Sequence, residues 1–260
     1  MDIFQDKKNL NKNIAVTTLI GILGLIIVGV YNTAFKKGHF TCNRYILNTY
    51  LYILMALVIM CLEVLAFDLH NVQVGFLNIF PGMWSFLFIL VLVIGWLILT
   101  MSINPRNVLV KHICWFILTL LFGYLAYPAY QKSKHQNTLL PVLLSLVAIL
   151  VVFSAVAFVK PEWISFSWGP VLLFLLVGVI ITNLLFLVTV NKRSKDKNEK
   201  FIRGISYFII VLFIFFIMYD TKQIIVAAKA CQEKTVDYIN QSLGIVLDAL
   251  NIFQSLVNVQ

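Results

Sequence analysis

Residues 238–257 read YINQSLGIVLDALNIFQSLV. A helix of about 20 mostly apolar residues spans the hydrocarbon core of a bilayer, yet this one places Asp248 near its middle. Gln241, Gly244, Asp248, Asn251 and Ser255 follow one another at intervals of 3, 4, 3 and 4, which puts all five on one helical face. The other faces are Leu, Ile, Val and Ala. In lipid such a stripe turns toward neighbouring helices or water. For Gln241, Asn251 and Ser255 a polar packing seam is an equal alternative. For Asp248 it is the weaker one, because a mid-membrane carboxylate is poor glue.

Working outward, seven more apolar segments approach spanning length, at about 14–31, 45–67, 82–101, 113–130, 139–159, 168–190 and 204–228. The connections between them are short, so the fold class is an all-α, multi-pass helical bundle. Composition agrees: of 260 residues 61% are apolar and 12% charged, and mean hydropathy is +0.93. A soluble domain carries about 25% charged residues. The net charge of +9 does not indicate nucleic acid, because the basic residues sit in gaps between apolar runs, as membrane proteins keep them.

Ile14–Tyr31 follows Lys7, Lys8 and Lys12, like the start of a signal peptide, but it is long and lacks a small-x-small cleavage site. A retained helix is expected. With eight spans, Lys and Arg divide eleven against nine between the two sides, too even to set orientation. The most basic stretch, Asn191–Arg203, is read as a solvated loop that favours anionic headgroups. Cys42, Cys61, Cys114 and Cys231 form no CxxC pair, so zinc is not expected. Cys42 and Cys231 fall in loops, and a disulfide between them is not expected.

Ionisable residues inside spans are costly and tend to face a bundle interior or a water path. Beside Asp248 stands Asp220, after the run Phe208–Met218. If its helix continues to 228, Asp220 lies about 12 Å and Asp248 about 15 Å from the same membrane face. On antiparallel neighbours the two carboxylates would sit at one depth, share a proton and titrate as a unit. The competing reading ends the span at Asp220. Glu63, near the end of its span, is read as reaching to the interface, as are Lys111 and His112. No P-loop, GxSxG, HExxH or GxGxxG occurs.

The last forty residues carry Tyr219-Asp220-Thr221-Lys222-Gln223, then Asp237-Tyr238-Ile239, then Leu247-Asp248-Ala249-Leu250-Asn251-Ile252-Phe253. This resembles the transmembrane BAX inhibitor motif (Bax-inhibitor-one-like) family. Arg44–Tyr50 and Phe116–Pro128 agree with its earlier helices. The resemblance covers about 45–257. It implies a seven-helix membrane domain at 45–257 around a central last helix, preceded by a segment 1–44 with the extra helix 14–31. It further implies calcium leak, pH-dependent gating and suppression of cell death. The family's pH-sensing aspartates fall on Asp220 and Asp248, which would also hold a permeant Ca2+ transiently. No other cofactor is implied. The resemblance also implies a latch arginine in the loop that holds Arg106. The implied partners are the bilayer, calcium and apoptosis-regulating membrane proteins. The implied membrane is that of the endoplasmic reticulum or Golgi in a eukaryotic or viral setting, or the plasma membrane in a bacterium. One departure is Lys222, where many members have Gln. A cation beside Asp220 would favour its charged form and move a gate to more acidic pH.

Other function classes compete. Intramembrane aspartyl proteases also pair a Tyr-Asp with a second Asp, but they carry Gly-x-Gly-Asp and Pro-Ala-Leu, and neither is here. An enzyme is therefore not expected. A secondary transporter would show matched broken helices or repeats, and none stands out. A non-conducting interaction protein, acting on apoptosis through partners, is the main alternative to the leak.

Overall fold

In a computed structural model of the chain, residues 2–70, 83–189, 195–232 and 235–260 are described. Among them are eight helices: α1 (Asp2–Ala34), α2 (Tyr45–Leu69), α3 (Met83–Ser102), α4 (Val108–His135), α5 (Leu139–Val159), α6 (Trp168–Thr189), α7 (Lys195–Lys229) and α8 (Tyr238–Val259). Seven are long and apolar enough to cross a membrane; within α3 the described apolar part is the shorter Phe88–Ser102. The chain is thus an all-α, multi-pass integral membrane protein.

Large apolar side chains point outward, with Leu25 at 75% and Phe174 at 77% exposure. That inverts the soluble pattern and is what acyl chains as solvent require. α8 differs. Of its spanning window 61% is buried, against 11% for α1 and α6. The apolar faces beside its polar stripe are enclosed too, with Leu243, Ile245, Val246, Ala249, Ile252 and Val257 buried.

The helices group into two compact units. The first comprises Met1–Tyr127 and Ala230–Ser242, the second Pro128–Lys229 and Leu243–Gln260. α4 and α8 therefore each run through both, and α4 passes from one to the other at its internal Pro128.

In the first unit α1 packs on α2, and Lys12 meets Asp68 at 2.7 Å. A hairpin of β1 (Phe35–Lys36) and β2 (His39–Phe40) follows α1. Its two-residue turn, Lys37-Gly38, has φ of 52° and 78°, the left-handed pair that matches strand twist. Phe40 then joins a ring cluster with Tyr52, His112 and Tyr238. In the second unit α5 and α6 pack on α7. Their cores are Ala157, Ile164 and Met218 at one level, and Leu172, Val179 and Leu212 at another.

Several expectations are corrected. Cys42 and Cys231 are disulfide-bonded, with Cα atoms 5.7 Å apart; 189 residues separate them, so no local pattern announced the pairing. Asn191–Arg203 is not wholly a loop, because α7 begins at Lys195; residues 191–194 lie outside the described set. Lys111 stands in the first turn of α4, at the end of its span, but does not reach water. It is fully buried, 2.5 Å from Asp237, and also donates to the Ile103 carbonyl at 2.9 Å. His112 is hydrogen-bonded to Tyr52 at 2.6 Å. The Glu63 carboxylate does not reach for the interface. Its Oε2 is buried without a partner and lies against Gly123 of α4.

Candidate functional site: the Tyr-Asp motif of α7 and the carboxylate of α8

Successive residues of an α-helix point about 100° apart, so four in a row address four neighbours. Tyr219–Lys222 do this in the second unit. Tyr219 brings its hydroxyl against Gly169 near the start of α6 and meets Phe166 edge-on, ring centres 6.2 Å apart. Asp220 rests its carboxylate on Gly244 of α8. Thr221, fully buried, donates to Ser154 Oγ of α5 at 3.4 Å. Lys222 donates to the Ile164 carbonyl and places its ammonium 4.8 Å from the centre of the Phe166 ring.

Lys222 is therefore not the cation beside Asp220 that the sequence suggested. Two residues along a helix it points to another side, where a carbonyl and a ring face hold it. Among the described residues no lysine or arginine pairs with Asp220 or Asp248.

Gly244 makes the approach of Asp220 possible. A Cβ built there would overlap Asp220 Oδ2 and stand 2.8 Å from its Cγ. Asp248 is one turn further along the same face. It is 3% exposed and its Oδ2 has no hydrogen-bond partner. α7 runs on to Lys229, so Asp220 is within the helix and does not end it. The carboxylates meet α8 at adjacent turns.

The other stripe residues do less. Asn251 donates to the Leu247 carbonyl of its own helix at 2.8 Å. Ser255 is buried and Gln241 half-buried on the same helix. Arg106 belongs to the first unit, in the turn between α3 and α4. It is exposed, its backbone N–H donates to Asn104 Oδ1 at 2.9 Å, and no ion pair among the described residues includes it. Sequence reasoning missed Gly169 and Gly244 as seats for the motif. Missed too were the Lys111–Asp237 pair and Gly123 beneath Glu63. Small residues facing large polar ones across helices leave no local signal.

Calcium takes six to eight oxygen ligands. Among the described residues no three His, Cys, Asp or Glu gather as a metal group. Asp220 and Asp248 contribute two carboxylates, fewer than such a group needs.

Comparison with curated proteins and with solved structures returned no match. A family model described as inhibitor of apoptosis-promoting Bax1 matches residues 42–259, a range that takes in α2 to α8 and both aspartates. This multi-pass membrane protein therefore belongs to the Bax-inhibitor-one-like family.

Proposed function

We propose that the chain is a pH-sensitive calcium or cation leak, with Asp220 and Asp248 as the gating pair. The observation that carries this reading is the buried Asp248 carboxylate with an unpartnered oxygen, one helical turn from the Gly244 seat of Asp220. Two buried carboxylates one helical turn apart along α8, neither paired with a lysine or arginine among the described residues, hold one charge most favourably when they share a proton. Removing that proton creates repulsion that only a counter-ion or a separation of α7 from α8 relieves. A divalent cation supplies the first, and gate opening is the second. Suppression of cell death, the activity the family is named for, would follow from a lower calcium load in the store that houses the protein.

The test is calcium flux into proteoliposomes at pH 6, 7 and 8, for the native chain and Asp248→Asn. A pH-dependent flux that the substitution abolishes or locks is expected. Flux no higher than in empty liposomes, from folded protein, would overturn the leak and favour a partner-binding role.

A further inference from the structure

At one end of the first unit, widely separated parts of the chain meet. Cys42 is bonded to Cys231. The Tyr238 hydroxyl donates to the Thr41 carbonyl and accepts from Asn48 Nδ2 at 3.3 Å. Asp237 accepts the Asn240 backbone N–H at 3.0 Å, capping α8, and pairs with buried Lys111. Every one of these contacts includes a residue of 41–48, which leads into α2, or of 237–240, where α8 begins. The disulfide is the covalent member of a clamp on the entry to that helix.

We infer that residues 35–44, 230–232 and 235–237 face an oxidising compartment, where Cys42–Cys231 closes as a lock on the start of α8, while Lys12, the basic start of α7 at Lys195–Arg203 and Gln260 face the cytosol. Three observations carry this. Disulfides persist in lumenal, extracellular or periplasmic space and rarely in cytosol. Next, the two bonded sulfurs lie on one side of the membrane, so the chain between them crosses an even number of times. Five helices in that interval meet the spanning criteria by themselves: α2, α4, α5, α6 and α7. α3 is thus the sixth crossing, and α1 and α8 then bring Lys12 and Gln260 to the opposite side. Finally, the charge count stops being even. Of the nine cations on the disulfide side, Lys111 is buried in its ion pair and Lys222 is held within α7. Lys12, paired with Asp68, is discounted in the same way on the other side; seven remain against ten, and the richer side is the cytosolic one.

Closure proceeds by thiol–disulfide exchange. The thiolate of one cysteine attacks the disulfide of an external oxidant, a small disulfide or an oxidoreductase. The second cysteine then displaces that sulfur. The two cysteine protons end on the oxidant's sulfurs, and it departs as two thiols.

The test uses the full chain in sealed microsomes, whose outer face is cytosolic. An impermeant polyethylene-glycol maleimide is expected to label Gln260→Cys without detergent, and Lys37→Cys only after permeabilisation. The native chain, denatured, should accept two labels before reduction, at Cys61 and Cys114, and four after it. In micelles, reduction should speed amide exchange at Ile239–Gln241 several-fold and leave Leu250–Phe253 unchanged. Labelling of Lys37→Cys in sealed vesicles, or four labels without reductant, would overturn the orientation. Unchanged exchange at 239–241 would overturn the lock.

Discussion

Replacing Gly244 by alanine tests the seat of Asp220 directly. Ordinary van der Waals contact begins at 3.4 Å, and the new Cβ would stand 2.8 Å from Asp220 Cγ, so the carboxyl carbon must retreat by at least about 0.6 Å, and its oxygen further. Little freedom exists for that. Tyr219 is seated on Gly169 on one side of α7 and Thr221 on Ser154 on another. Overpacking of this kind costs about 3 kcal/mol at the upper end. Alanine returns about 1 kcal/mol of helix propensity. The net loss is about 2 kcal/mol, or roughly 30-fold in the folding equilibrium. In an Asp220→Ala background the obstruction is gone, and Gly244→Ala should stabilise by up to about 1 kcal/mol. The sign thus reverses between backgrounds, with a coupling of about 3 kcal/mol. The assay is detergent-driven unfolding of the four variants in mixed micelles, read by tryptophan fluorescence. If Gly244→Ala costs the same in both backgrounds to within about 0.5 kcal/mol, the carboxylate does not rest on that glycine and the reasoning fails.

Gly123→Ala should be harder to rescue, because the new Cβ meets Glu63 and also the Met60 Cα at 3.3 Å; Glu63→Ala in the same unfolding assay should recover only part of the loss. Lys222→Met should leave the pH profile of any flux unmoved, since its ammonium serves the Ile164 carbonyl and the Phe166 ring; an alkaline shift would mean that it does act on Asp220. Lys111→Met alone strands the buried Asp237 carboxylate and should cost about 3–5 kcal/mol, whereas Lys111→Met with Asp237→Asn should restore most of it. Burial pushes the Asp237 carboxyl above its ordinary range, against the opposing hydrogen bonds of Lys111 and the Asn240 N–H. Its contribution to stability is therefore complete below the ordinary carboxylate range and is lost as pH rises through the raised value. Thermal midpoints of the native chain should fall across that window, and those of Asp237→Asn should fall less.

The sequence made the helices legible because lipid demands long apolar runs, and α2, α5 and α8 begin at or within a residue of where those runs begin. α4 and α7 start earlier, at Val108 and Lys195: the first turn of α7 is polar, and in α4 Lys111 and His112 cut Val108–Val110 off from the apolar run that follows. Asp220 and Asp248 were readable as a pair by depth, an argument that needs only 1.5 Å per residue. What faces them was not. Lys222 sits two residues from Asp220 in sequence but on another face of α7. Gly244 looked like one small member of a stripe, and its role depends on which helix lies opposite. Lys111 and Asp237, 126 residues apart, read separately as interfacial charge and hairpin polarity. Pairing at such range is set by tertiary packing, on which hydropathy has nothing to say.

The division of α8 between the two units bears on how the protein is made. Residues 230–242 complete the first unit and 243–260 the second, and both follow all seven other helices in the chain. During synthesis, then, neither unit can close early. Until α8 arrives, Asp220 waits in the bilayer without its glycine, Lys111 without its carboxylate, and Cys42 with a free thiol. Translation that stalls or stops before residue 230 would leave all three exposed together, a ready signature for membrane quality control to read.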